Sequence, residues 1–186
     1  MNNLRELRIS ERNTQPAPGS RSIIQVTASS ATKKIPLRIY RPYDPTNRST
    51  SAIAILKALL QPLDLTGVKS VTIKAFYPDP FHPSGQDPVE WRKFLSRMAE
   101  LETLTIINSR ASIILGALVP DVWPWREIAD PVEVKERMVL ICPRLKEILL
   151  GNIESPWDTE EVIEMVNSRQ KHGAPLADVF VEGVRH

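Results

Sequence analysis

One short spacing recurs along this chain: an apolar residue, two spacers, a second apolar residue, one spacer and a third. Leu4, Leu7 and Ile9 form the first copy. Val68, Val71 and Ile73 form another, as do Leu101, Leu104 and Ile106. Leu145, Ile148 and Leu150 follow, and then Leu176, Val179 and Val181. A degenerate copy has Leu37 and Ile39 in the second and third slots, with Lys34 in the first. First slots at 4, 34, 68, 101, 145 and 176 give steps of 30, 34, 33, 44 and 31 residues. A period in this range marks stacked supersecondary units, none of which buries its apolar face alone.

An apolar fraction of 42% yields three-point matches by chance, so the spacing counts only with what precedes it. Before Leu101 stand Asp87, Pro88, Val89 and Glu90; before Leu145 stand Asp130, Pro131, Val132 and Glu133. Ser155, Pro156, Trp157 and Asp158 are a third version, ahead of Leu176. Each has a capping side chain, a proline at the first helical position and an acid three residues after the cap. Cap and acid satisfy free backbone donors, and proline has no donor to lose.

Amphipathic stripes follow these starts. Trp91, Phe94, Leu95 and Met98 recur at i, i+3, i+4 and i+7. Val134, Met138 and Ile141 form a second stripe, and Val162, Met165 and Val166 a third. An earlier helix is predicted over about 51–61, with Ile53, Leu56 and Leu60 on one face and Pro62 as its stop. The last helix is predicted to end at Gly173, suited to a left-handed residue, with Pro175 blocking continuation. The unit is therefore helix, turn and short strand. The expected fold is α/β: a leucine-rich-repeat-like solenoid of five to six strand–helix units with a parallel sheet on its concave face. Repeat strands are expected near 4–9, 35–39, 68–73, 101–106, 145–150 and 176–181 of a single 1–186 domain. The runner-up, an ordinary open α/β sheet holding a cofactor, needs glycine-rich strand-to-helix turns, and the chain has none.

Composition narrows function. At 186 residues the chain builds a full core without metal or disulfide. A net charge of +2 without a basic block argues against a nucleic-acid partner. The single Cys142 excludes an internal disulfide and any cysteine-based zinc site, and is expected to be a buried structural thiol. The longest apolar run, residues 111–119, is too short for a membrane span. No charged-then-apolar leader opens the chain, so a cytoplasmic or nuclear protein is expected. No cofactor is expected, because nucleophile elbow, P-loop and dinucleotide fingerprint are all missing. Asp79, His82, Asp87 and Glu90 lie close together, but two of them are accounted for as a capping box, so no metal site is expected. Nothing points to catalysis, and an enzyme is not expected.

The run Cys142, Pro143, Arg144, Leu145, Lys146, Glu147, Ile148, Leu149, Leu150 resembles the repeat of fungal F-box-type proteins with an irregular leucine-rich-repeat domain. Gly173, Ala174, Pro175 and Leu176, after the helix, resemble that family's repeat ending. The resemblance spans about 51–181 and concerns the repeat part only. No F-box precedes it, and Asn2, Asn3 and Leu4 already enter a strand, so the domain is expected to belong to a longer protein. The resemblance implies a protein-binding module: the substrate-recognition part of a cullin-type ubiquitin ligase, meeting the ligase adaptor only through an F-box outside this chain. A box-less repeat scaffold unrelated to ubiquitin fits the residues equally well, and an enzyme of unrecognised type is the remote alternative.

Two long connections, 74–87 and 107–130, are expected on one rim. They carry Tyr77, Phe81, Trp123 and Trp125, and Trp157 begins the next helix on the same rim. These aromatics either grip a partner peptide or fold back over the core end. On the concave face alternation places Arg8, Arg38 and Lys74 toward the first repeats and Leu149 and Phe180 toward the last. Charges on a solvated face need no ligand. Leu149 and Phe180 are apolar where a solvated face expects polar residues, which makes them candidate partner contacts.

Overall fold

The computed structural model describes residues 4–13, 21–30, 34–42, 58, 60–74, 88–107, 111–119, 140–151 and 157–183. The second and third apolar slots of the repeat form strands. These are β1 (Leu4–Asn13), β4 (Ser70–Lys74), β5 (Thr103–Ile107), β6 (Glu147–Gly151) and β7 (Asp178–Glu182). β2 (Arg21–Ser30) and β3 (Lys34–Pro42) complete a seven-stranded sheet in the order β3-β2-β1-β4-β5-β6-β7. The β1–β4, β4–β5, β5–β6 and β6–β7 pairs are parallel; β1–β2 and β2–β3 are antiparallel.

The five full copies of the spacing stand in register. Leu7, Val71, Leu104, Ile148 and Val179 form one row, and Ile9, Ile73, Ile106, Leu150 and Val181 the next. Both rows are buried as far as β6; on β7 Val179 is half-buried and Val181 exposed. The first slot lies just outside each strand, in a turn that it closes. The amides of Val68, Leu101 and Leu145 donate to the carbonyls of Leu65, Met98 and Cys142 at 3.1, 3.1 and 3.0 Å.

The residue after that slot links one unit to the next. The Lys69 carbonyl accepts from the amides of Glu102 and Thr103 at 2.9 and 3.0 Å; the Glu102 carbonyl accepts from Lys146 and Glu147 at 2.9 and 3.1 Å. The side chains of this column alternate in sign. Lys69 Nζ lies 2.8 Å from Glu102 Oε1, and Lys146 Nζ lies 3.5 Å from Glu102 Oε2. The hydrogen bond from Lys69, with the charge of Lys146, holds the Glu102 carboxyl below the usual range. All three are solvated, so the ladder guides register more than it stabilises.

Three helices are described: α1 (Pro88–Leu95), α2 (Ala111–Gly116) and α3 (Trp157–Lys171). Pro88 opens α1, as its capping sequence predicts. Trp91, Phe94, Leu95 and Met98 are buried together, with Trp91 and Phe94 edge to face at 5.9 Å. Met165 and Val162 bury the inner side of α3. The end of α3 is a left-handed cap: Gly173 has φ 77°, its amide donates to Gln170 at 3.1 Å and that of Ala174 to Arg169 at 3.0 Å. Of the helix predicted over about 51–61, residues 58, 60 and 61 are described; 58 and 60 are helical, Leu60 is buried, and Gln61 already lies in the turn.

Two arginines join units through backbone carbonyls. Arg97 Nη2 donates to the carbonyls of Leu60, Gln61 and Leu63 at 3.0, 3.2 and 2.7 Å. Arg169, fully buried, donates from Nη1 to Ile141 at 2.9 Å and from Nη2 to Cys142 at 2.8 Å. Each fixes the turn of the preceding unit, where the carbonyls of Leu60 and Cys142 also accept the amides of Leu63 and Leu145.

Three expectations change. The degenerate copy near 35–39 is no parallel repeat strand: it lies in β3, antiparallel to β2 at the sheet edge. β2 has no counterpart in the repeat; its Val26 and Ala28 alternate into the core opposite Ile9 and Leu7. Part of the connection expected over 107–130 is not rim loop. Residues 111–116 form α2, which buries Ala111, Ile114 and Leu115 against the core. What stands is a mixed α/β fold on a mostly parallel sheet.

Because one row serves every unit, truncating it is costly. Leu104→Ala is expected to lower unfolding free energy by about 2–5 kcal/mol in urea titration. Thr72→Ala, on the opposite face, is expected to change it by less than about 0.5 kcal/mol.

Candidate functional site

Strand alternation gives the sheet two unlike faces. The second and third slots point into the core. The spacers between and after them point the other way, and there Thr72, Thr105 and Leu149 are half-buried while Lys74 and Phe180 are exposed. This open face carries the candidate site, and its character changes from β1 to β7.

At β1 it is polar and self-satisfied. Arg8 is exposed, and its Nε donates to Glu6 Oε1 at 2.7 Å on the same strand. Arg38 stands in β3 at the register position of Gln25, in the row that continues through Ser10 to Lys74; its side chain lies outside the described residues. Arg8 and Lys74 therefore share a face but not a row, because Arg8 pairs with Thr72.

At β5–β7 the face turns apolar. Leu149 pairs directly with Phe180, and Ile107 pairs with Gly151, two residues further along β6. Leu149 and Phe180 thus share one row of the open face, and Ile107 stands diagonal to Leu149 across the β5–β6 pair. Phe180 is 51% exposed, and Val181, in a slot buried elsewhere, is 47% exposed. Gly151 is the floor beneath Ile107: a methyl added there meets Ile107 Cγ1 at 3.4 Å. Acids frame this apolar group. Glu147 and Asp178 are paired in register, as are Gly151 and Glu182.

Of the residues singled out from sequence, Leu149, Phe180, Lys74 and Arg8 share the open face, and the first two touch ranks at its apolar end. Tyr77, Phe81, Trp123 and Trp125 lie outside the described residues. Trp157 opens α3, and its side chain lies outside them too. Glu147, Asp178 and the glycine at 151 were not legible as site residues. Only the register, which sets them beside Leu149 and Phe180, gives them a role.

The opposite side of the molecule offers a groove of about 520 Å³ along α3, lined by Val119, Glu160, Ile163, Glu164, Asn167 and Lys171. It shares no residue with the open face. Among the described residues no group of three or more His, Cys, Asp or Glu converges on a metal position. Among them, too, no helix is long and apolar enough to cross a membrane.

Cys142 is buried in the turn before β6, with φ 50°. Its Sγ donates to the Leu95 carbonyl at 3.4 Å. Burial pushes the thiol from its ordinary 9.0 up to about 12, against the opposing charge of Arg169. It is a packing residue, as the sequence implies.

No protein-family model, curated protein or solved structure matches the chain.

The thiol has a measurable consequence. A folded-state value of about 12 against 9.0 keeps the thiolate scarce, so alkylation at pH 8 is expected to be about a thousandfold slower than in urea-unfolded chain. The same shift makes stability fall as pH rises above 9.0, because the unfolded thiol releases its proton first. Alkylation at equal rates in both states contradicts this placement.

Proposed function

We propose that this chain is a protein-binding module: a leucine-rich-repeat-like solenoid whose open sheet face receives a partner protein. One observation carries the reading. The sheet buries one face, and its other face ends in an apolar group in which Ile107 and Leu149 are half-buried and Phe180 is exposed. Parallel sheets are ordinarily covered on both faces, so Phe180, 51% exposed beside that half-buried pair, supports a partner there. The in-register stacking of five copies of one spacing supports the solenoid. The mechanism is positional: the module holds its partner, and any chemistry belongs to other subunits.

The resemblance of residues 142–150 and 173–176 to the F-box-associated repeat supports a narrower role, substrate recognition for a cullin-type ubiquitin ligase. The adaptor then binds through an F-box carried outside these residues.

Affinity capture from the source cell tests both levels. Wild-type chain is expected to retain specific proteins that a Phe180→Asp, Leu149→Asp variant loses at least about tenfold, since each change places a charge where the partner's apolar surface docks. Circular dichroism and urea midpoint check that the variant folds. Equal recovery by both chains contradicts the open-face reading. Co-recovery of ligase adaptor and cullin with a longer chain supports the receptor role; specific partners without them favour a scaffold.

A further inference from the structure

The two edges of the sheet are built differently. β3, at one edge, contains Pro36 and Pro42, which offer no N–H, together with Lys34, Arg38 and Arg41. Proline and cations are how sheets refuse further strands. β7, at the other edge, reads Asp178, Val179, Phe180, Val181, Glu182, with neither proline nor lysine. No described strand lies beyond it, so alternate backbone groups of β7 face outward. Four of its five residues are exposed, and Val179 is half-buried.

The side chains of this edge specify charge as well as shape. Asp178 and Glu182 flank Phe180 on the open face. Asp178 lies in register with Glu147 on β6, a like-charge pair set directly opposite, which opposes sheet formation. In the other units four acids are ion-paired: Glu6 with Arg8, Glu90 with Lys93, Glu100 with Arg144, Glu102 with Lys69 and Lys146. Glu147, Asp178 and Glu182 have no cation among the described residues. A second copy of the chain does not supply one. Antiparallel pairing of two β7 strands about Phe180 sets Asp178 against Glu182, and parallel pairing sets acid against the same acid.

We infer that β7 accepts an extended partner peptide as an eighth strand, and that the peptide carries basic residues at both ends of a three-residue apolar centre. This rests on the protein-binding reading and deepens it by naming the partner's chemistry. The added strand satisfies the outward backbone groups of β7, while its outer side chains meet Asp178 and Glu182 across the strand. Its central residue stacks on Phe180 on the open face. The two intervening residues cover Val179 and Val181 on the other face.

The test is fluorescence anisotropy with four labelled probes: a lysine–valine–leucine–valine–lysine peptide with glycine–serine flanks, its glutamate-ended counterpart, and the lysine peptide N-methylated at alternate amides in each of the two possible registers. The wild-type chain is expected to bind the lysine peptide about tenfold tighter than the glutamate peptide. The preference is expected to shrink as salt rises. N-methylation on the pairing side is expected to abolish binding, and Asp178→Lys, Glu182→Lys is expected to reverse the charge preference. Equal affinity for lysine and glutamate peptides overturns the inference, as does undiminished binding of both N-methylated registers. If the lysine peptide fails while Phe180→Asp, Leu149→Asp still loses captured partners, the edge inference falls and the open-face reading stands. If the lysine peptide binds as described while the double variant captures partners normally, the open-face reading falls and the edge inference stands.

Discussion

A strand of five residues leaves half its backbone groups unsatisfied and most of its side chains in water unless another strand lies in register beside it. That constraint governs β4, β5, β6 and β7, each five residues long. Register here has two determinants that act together. Apolar rows through Leu104 and Ile106 bury only if each slot meets its equivalent, because a one-residue slip sends both to the open face. Ahead of the strands, the carbonyls of Lys69, Glu102 and Lys146 each accept two amides from the following unit. The backbone at the strand start is therefore committed before the side chains meet.

The helices depend on the same stacking. An eight-residue helix such as α1 is too short to persist alone. Its apolar stripe is buried against the sheet and neighbouring helices, and its arginines reach other units. Arg92 Nη1 donates to the Val119 carbonyl at 3.0 Å, and burial lowers its guanidinium from the ordinary value. Arg97 and Arg169 grip the turns of preceding units. A buried guanidinium is stabilising only when its donors are used. Arg169 uses Nη1 and Nη2, while its Nε has no hydrogen-bond partner among the described residues. The arginine ties α3 to the turn at Ile141 and Cys142, and the positive φ of Cys142 is held in that same turn.

What the amino-acid sequence made legible follows from which interactions repeat. The spacing at Leu4, Val68, Leu101, Leu145 and Leu176 located the starts of five strands to within two residues, because the same packing demand recurs in each unit; β1 runs four residues past its expected end because it also pairs with β2. Pro88 and Gly173 located helix ends, because proline geometry and a left-handed cap are local properties. β2 escaped notice since Val26 and Ala28 alternate with period two and match no repeat slot. β3 was misread because Leu37 and Ile39 fit the slots by chance; antiparallel pairing with β2 is a non-local choice. Residues 111–116 were read as loop although their apolar run was visible, because no cap or proline announces the helix. At the site, apolar Leu149 and Phe180 stood out against a polar expectation. Glu147 and Asp178 did not, since exposed acids are ordinary until register sets them opposite each other.

These constraints underlie the proposal made above, that the chain meets another protein at the β5–β7 end of the open face, where Phe180 and Val181 stay exposed. Site-specific photocrosslinking tests it most directly. A photoreactive phenylalanine analogue is placed at Phe180 in one chain and at Ile163, 56% exposed on the helical side, in another. Both are irradiated in extract from the source cell. The account predicts discrete crosslinked protein adducts from position 180 and none from position 163. Adducts from position 163 alone contradict it, and move the binding surface to the groove along α3.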